Sequence, residues 1–125
     1  MVGTSTEGVH FRGIRGAVQV PSDTVEAIDA ATRELLAAMV ERNGIDPGVL
    51  VAIWFTQTDD LTAAHAPAAA RALGWTHVPL LGAREATVEG GLPRVVRALA
   101  LAPVAGEARH VYLGATRSLR PDLEP

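Results

Sequence analysis

The chain has 125 residues, of which 48% are hydrophobic, 20% are charged and only 4% are aromatic, and its formal net charge is −3. This balance is typical of one globular domain with an aliphatic core, and it excludes a disordered chain and a basic nucleic-acid-binding surface. The lack of cysteine excludes disulfides and thiol catalysis, and no apolar run is long enough for a membrane span. We expect a cytoplasmic protein in which residues 1–10 form a flexible extension ahead of a single domain at 11–125.

Hydrophobic periodicity predicts a regular alternation of strands and helices. In chain order the predicted elements are strand 11–20, helix 23–42, strand 49–55, helix 62–73, strand 77–81, helix 93–102 and strand 109–114. Asp23 and Glu26 have capping-box spacing at the start of the first helix, Gly44 follows its end, and Pro93 opens the third. The apolar run at 49–55 predicts a strand buried on both faces, and Pro67 is expected to delay or bend the second helix. The alternation indicates an α/β domain with helices packed on a sheet.

Several familiar kinds of catalytic site are absent from the sequence. It contains no glycine-rich phosphate loop and no dinucleotide fingerprint after a strand. No serine has the context of a nucleophile. Paired metal-ligand spacing is also missing among the four histidines, His10, His65, His77 and His110. We therefore predict no metal, no cofactor and no covalent intermediate.

Arginine supplies every positive side chain that is charged at neutral pH, because the chain has 11 arginines and no lysine. A guanidinium can bind a carboxylate through two parallel hydrogen bonds. Arg97 stands in an apolar segment, where a charge needs a partner or a polar pocket. For the other arginines a solvated surface position agrees with the pattern at least as well. Residue types alone permit a site for a small dianion, without saying which, lined by Arg15, Arg71, Glu85, Arg97, Tyr112 and Arg120.

Four groups of residues carry a resemblance that covers nearly the whole chain, from about Phe11 to Leu123. They are Arg12–Ala17; Thr58–Leu61 with Pro67 and Arg71; Gly74–Trp75, Val78–Pro79, Glu85, Gly90–Leu92 and Arg97; and Arg109–Leu113 with Leu119–Leu123. In order and spacing they resemble the AroH class of chorismate mutases. The resemblance implies a mixed β-sheet with helices outside, and a homotrimer with a pseudo-barrel core and active sites between subunits. It also implies conversion of chorismate to prephenate in phenylalanine and tyrosine biosynthesis, with neither nucleic acid nor membrane as a partner.

The same resemblance assigns roles to single residues. Arg97 matches the arginine that contacts the ether oxygen and a carboxylate, and Glu85 matches the glutamate that binds the ring hydroxyl; these two are the predicted catalytic residues. The predicted substrate-binding residues are Arg15, Tyr112, Arg71 from the neighbouring subunit, Leu119, Arg120, Leu80 and Leu81. Negative charge grows on the ether oxygen during the rearrangement, so a fixed guanidinium there favours the transition state over the substrate.

Three positions depart from the family pattern, and two other functions remain open. Gly82 stands where some members have cysteine, Ala68 where lysine can occur, and His65 where phenylalanine can occur. Loss of the lysine predicts weaker capture of the dianion, seen in KM more than in kcat. The alternatives are a RidA-like trimeric enamine deaminase and a trimer that binds a small anion without turnover. Glu85 with Arg97, and the tail over 120–123, favour the mutase.

Overall fold

The computed structural model describes residues 8–123, which form one mixed β-sheet with helices packed on one face. The strands are β1 (Val9–Gln19), β2 (Ala52–Gln57), β3 (Leu80–Arg84), β4 (Val95–Ala105) and β5 (Val111–Tyr112), in spatial order β3-β2-β4-β1-β5. The α-helices are α1 (Val25–Arg42) and α2 (Pro67–Ala72), and short 3-10 helices span Pro47–Val49, Gly114–Leu119 and Pro121–Leu123. β4 pairs antiparallel with β1 and β2, whereas β2 with β3 and β1 with β5 pair parallel. The predicted mixed sheet with helices outside is confirmed.

The segment Val95–Ala105 is a strand, so the third predicted helix is wrong. Its side chains alternate: the even-numbered residues from Val96 to Val104 are buried, while Arg97 and Leu99 lie on the opposite face. The local run of Val, Ala and Leu fits both a helical stripe and a strand, and only pairing with distant segments decides between them. β4 pairs with β1 at eleven positions and with β2 at six, and therefore becomes the centre of the sheet.

Helix α1 covers the core face of the sheet and begins later than predicted. Its N-cap is Thr24, whose hydroxyl oxygen accepts a hydrogen bond from the Ala27 N–H at 3.1 Å, so the capping box at Asp23 is wrong. Asp23 instead accepts hydrogen bonds from the N–H groups of Thr62 and Ala63, each at 2.9 Å. These hydrogen bonds, of which the one from Ala63 has the largest effect, hold the pKa of the Asp23 carboxyl below its usual value. They also join the start of α1 to the loop before α2.

Several predicted boundaries shift. β1 begins at Val9, so the end of the predicted extension belongs to the sheet, while residues 1–7 lie outside the described residues. α2 begins late, at Pro67, as the proline predicts. The strand predicted at 77–81 instead runs over Leu80–Arg84, and the strand predicted at 109–114 is reduced to Val111–Tyr112. After β5 the chain forms the last two 3-10 helices.

The sheet face opposite the helices is apolar and open. Exposed fractions on this face reach 69% for Phe11, 61% for Leu81, and 42% for both Trp54 and Leu99. β2 is therefore buried on one face and not on both, contrary to the prediction. A contiguous apolar patch of this kind marks an interaction surface. Within residues 8–123 no helix has the length and hydrophobicity needed to cross a bilayer.

Candidate active site

An ion pair between Arg97 and Glu85 lies at one end of the open sheet face. Arg97 Nε donates to Glu85 Oε1 at 2.9 Å, and the Thr56 hydroxyl donates to the same oxygen at 2.9 Å. Thr56 and Arg97 are register partners on β2 and β4, so their side chains emerge on the same face. The Glu85 N–H donates to the Gln57 carbonyl at 2.8 Å, which fixes the backbone directly after β3. The guanidinium is therefore held in one orientation while its side chain stays 38% exposed.

A cleft of about 500 Å³ brings three of the predicted arginines together with the single tyrosine. It is lined by Arg15, Gly16, Trp54, Thr56, Arg97, Ala98, Leu99, Tyr112 and Arg120. Arg15 is opposite Leu99 on the sheet, and Leu99 is opposite Trp54, so apolar side chains separate the charged ones. Such a mixture of positive groups and apolar walls, at this volume, suits a small organic dianion.

A second cleft of about 400 Å³ adjoins the first, and Arg97 lines both. Glu85 and Leu119 line this second cleft, between the turn over 58–60 and the loop over 86–93. Leu119 packs against a small cluster of Ala17, Val95 and Tyr112, which sets the tail at the edge of the site. The predicted residues Arg97, Glu85, Arg15, Tyr112, Leu119 and Arg120 thus meet around these two connected clefts.

Arg120 reaches the cleft from the tail and carries its own partner. Its Nε and Nη2 donate to the two carboxylate oxygens of Asp122 at 3.0 and 2.7 Å. This two-point pairing holds the pKa of the exposed Asp122 carboxyl below its usual value. Because both partners lie on the surface, the pair contributes little to stability, and its effect is to restrict where the Arg120 side chain points.

The structure does not bring every predicted residue to the cleft of its own chain. Arg71 is exposed on α2 and lines neither cleft. Leu80 pairs with the buried Ile53 and packs against the main core, so its side chain points away from the open face. Leu81 lies on the open face beside Trp54 but does not line either cleft.

Two of the departures from the family pattern are linked in space. A Cβ atom built on Gly82 would collide with the imidazole of His65 and would lie 2.9 Å from Pro67 Cγ. The His65 ring therefore fills the space that a side chain at position 82 would need. The two departures look independent in the sequence, because nothing in the local pattern shows that position 65 lies over position 82.

Thr56 and His110 also contact predicted site residues, and sequence reasoning did not single them out for this role. Thr56 holds the carboxylate of Glu85, and the His110 Nδ1 accepts a hydrogen bond from the Arg15 backbone N–H at 3.0 Å. Thr56 lies opposite Arg97 because β4 is a strand that pairs with β2. The sequence predicts a helix over 93–102, and a helix there gives no reason to place Thr56 beside Arg97. His110 directly precedes the residues Val111 and Tyr112, and its position in that motif is the only available signal.

Comparisons with known proteins identify one family, and the matches cover nearly the whole chain. A family model for type I chorismate mutase matches residues 11–123. The chorismate mutase AroH of Thermus thermophilus is 55% identical over 117 residues, which are 90% of this chain and 96% of that protein. The AroH enzyme of Bacillus subtilis (strain 168) is 39% identical over 117 residues, 90% of this chain and 92% of that one. A solved chorismate mutase from Clostridium thermocellum has a TM-score of 0.82 at 35% identity, covering 86% of this chain and 98% of its own.

Proposed function

The chain belongs to the type I family of chorismate mutases, and we propose that it rearranges chorismate to prephenate at the cleft where Glu85 fixes Arg97. The enzyme class, an isomerase of aromatic amino-acid biosynthesis, follows from the family and its named relatives. This assignment sets aside the enamine deaminase alternative. The observation that carries the proposed site is the Arg97–Glu85 ion pair, at 2.9 Å, whose arginine lines a cleft together with Arg15, Tyr112 and Arg120.

The mechanism we propose is electrostatic. The reaction is an intramolecular rearrangement in which the ether C–O bond breaks ahead of C–C bond formation, so negative charge grows on the ether oxygen. Arg97 donates a hydrogen bond to that oxygen, and the bond strengthens as the charge develops. Glu85 accepts a hydrogen bond from the ring hydroxyl of the substrate while its Oε1 keeps Arg97 in place. One C–O bond breaks and one C–C bond forms within the same concerted intramolecular step and no proton changes position, so the step requires no proton relay and no nucleophile.

The remaining cleft residues supply binding and conformational selection. Arg15, Arg120 and Tyr112 hold the two carboxylates, and Leu119 and Leu99 border the substrate. Binding both carboxylates at fixed positions favours the compact conformer, in which the reacting carbons are close. The single catalytic domain in this proposal comprises the predicted range 11–125 together with the first two residues of β1, and the family match over 11–123 supports it.

A homotrimer completes the proposed site. Three copies that turn their apolar sheet faces towards a common axis would bury Phe11, Trp54, Leu81 and Leu99 in a pseudo-barrel core. Each cleft then opens on the neighbouring subunit, which contributes Arg71 from α2. We also propose that the trimer works in the cytoplasm.

The direct test is loss of chorismate absorbance in the near ultraviolet, with the product identified as prephenate, combined with a native mass measurement. We expect rapid turnover by an assembly of about three times the 13.1 kDa chain mass. A well-folded trimer that binds chorismate without turnover would instead support the anion-binding alternative. A monomer with full activity would contradict the shared site.

Restoring lysine at position 68 tests the effect of the missing positive charge. Ala68 is exposed near the start of α2, close to Arg71. Ala68→Lys is expected to lower KM for chorismate by roughly threefold to tenfold, with kcat nearly unchanged, because one surface charge changes the interaction by about 1 kcal/mol. The matched control, Ala30→Lys, adds the same charge at an exposed position on α1 and should leave KM as it is. Equal effects of the two variants would refute a specific role for position 68.

A further inference from the structure

His110 takes the place of a backbone hydrogen-bond partner for Arg15. β5 pairs with β1 only at Gly16 with Val111 and at Ala17 with Tyr112. At the next position the Arg15 N–H donates to the Nδ1 atom of the His110 ring, at 3.0 Å. The imidazole therefore extends the contact between these two strands by one residue, and that residue carries the guanidinium of the cleft.

The segment before His110 is anchored to the end of α1. The Asn43 Oδ1 accepts the Arg109 N–H at 2.7 Å, and the Asn43 Nδ2 donates to the Arg109 carbonyl at 2.9 Å. The same Nδ2 donates to the Met39 carbonyl inside α1 at 2.8 Å. One side chain thus binds both polar groups of Arg109 in the manner of a strand partner. A continuous set of hydrogen bonds runs from α1 through Arg109 and His110 to the backbone of Arg15.

This arrangement requires a neutral imidazole. A histidine Nδ1 that accepts a hydrogen bond carries no proton, so the ring holds its proton on Nε2. Burial, and then the positive charges of Arg15 on β1 and Arg120 in the tail, lower the pKa of His110. Asp122, which pairs with Arg120, is the nearby acidic group of the tail, and the partner from α1, Asn43, is uncharged. The surroundings thus favour the protonation state that the hydrogen bond needs.

We propose that His110 is a positioning residue for Arg15, holding the β1 backbone so that the guanidinium meets a carboxylate of chorismate. This inference rests on the proposed substrate-binding role of Arg15. A carboxylate contact acts on the bound substrate and on the transition state alike. Loss of positioning should therefore raise KM and leave kcat nearly unchanged, which is the signature of weakened uniform binding.

The test compares two replacements of different hydrogen-bonding capacity. His110→Asn keeps an acceptor oxygen near the position of Nδ1 and cannot titrate in this range, whereas His110→Leu removes the acceptor. With chorismate at pH 7.5, His110→Leu is expected to raise KM by roughly fivefold to tenfold, and His110→Asn by less than about twofold. In the Arg15→Ala background, where the backbone N–H remains but the guanidinium is gone, His110→Leu should have no further effect on KM.

The outcomes separate this inference from the proposed function. If Arg15→Ala leaves KM unchanged, the substrate-binding role of Arg15 fails. If Arg15→Ala raises KM but His110→Leu does not, or if asparagine and leucine behave alike, the positioning role of His110 fails. Where His110→Leu does not fold, ¹⁵N NMR of the ring nitrogens in the wild-type protein decides. An unprotonated Nδ1 at pH 7 supports the inference, and a protonated Nδ1 overturns it.

Discussion

Replacing Arg97 with alanine is expected to lower kcat for chorismate by on the order of 10²–10³-fold, with a smaller change in KM. The guanidinium is held by Glu85 Oε1, which Thr56 also binds, so its orientation is set before the substrate arrives. A donor fixed in this way needs no reorganisation as charge grows on the ether oxygen. Because this stabilisation is largest in the transition state, its loss falls mainly on kcat.

Two further variants sharpen this prediction. Arg97→Lys keeps the charge but loses the planar group that donates through Nε to Glu85, and it should recover only a small part of the lost rate. Arg33→Ala removes an arginine whose partner is Asp29 on the outer surface of α1, and it should leave kcat unchanged. Initial rates over a range of chorismate concentrations, with circular dichroism as a check on folding, measure all three. A kcat for Arg97→Ala within tenfold of the wild type would contradict the electrostatic mechanism.

Placing a carboxylate at the centre of the open sheet face is expected to abolish both assembly and activity. Leu99 lies on β4 with its side chain 42% exposed, and the proposed trimer buries it. In Leu99→Glu the new carboxylate would have to be buried against apolar side chains such as Trp54, which costs several kcal/mol at each of three related contacts. Arg15, which lies opposite position 99 on β1, offsets only part of this cost because both charges lose their contact with water. We expect the native mass to fall to that of the 13.1 kDa chain. Turnover should be lost as well, because a dissociated chain no longer receives Arg71 from the neighbouring subunit.

The control for this variant adds the same group on the other side of the molecule. Val25 is 54% exposed at the start of α1, in the layer that faces away from the open sheet face. Val25→Glu should remain trimeric and active. The account of the interface fails if Leu99→Glu retains the mass of the wild type, or if both variants dissociate equally.

Helix α1 and the identities of the site residues could be read from the sequence, while the centre of the sheet could not. The face of α1 that carries Ile28, Leu35, Leu36 and Met39 has clear helical spacing, and the structure buries all four. β4 has no such distinct period, because its small aliphatic residues satisfy a helix and a strand alike. Its pairing with β1 joins residues that are 76 to 96 positions apart along the chain, and no local window contains that information.

In the candidate site, too, the motif residues could be predicted from the sequence, whereas the contacts between them could not. The family resemblance predicts that Arg97 and Glu85 are catalytic residues. That prediction depends on their positions in the motif, so it does not depend on whether Arg97 lies on a helix or on a strand. Their contact with each other, and the hydroxyl of Thr56 on the same carboxylate, depend on the register of β2 with β4. The support of Arg15 by His110 depends on the parallel pairing of β1 with β5. Such supporting residues become visible only when the strands are in place.

The most direct test of a site shared between subunits is activity in mixed trimers of two inactive variants. Arg97→Ala and Arg71→Ala chains are co-expressed in equal amounts, and chorismate turnover is compared with that of each variant alone. In a trimer whose sites form between neighbours, about one quarter of the sites combine an intact Arg97 with an intact Arg71. We therefore expect the mixture to recover roughly a quarter of wild-type activity. A mixture no more active than the mean of its parents, or full activity of Arg71→Ala alone, would contradict the shared site.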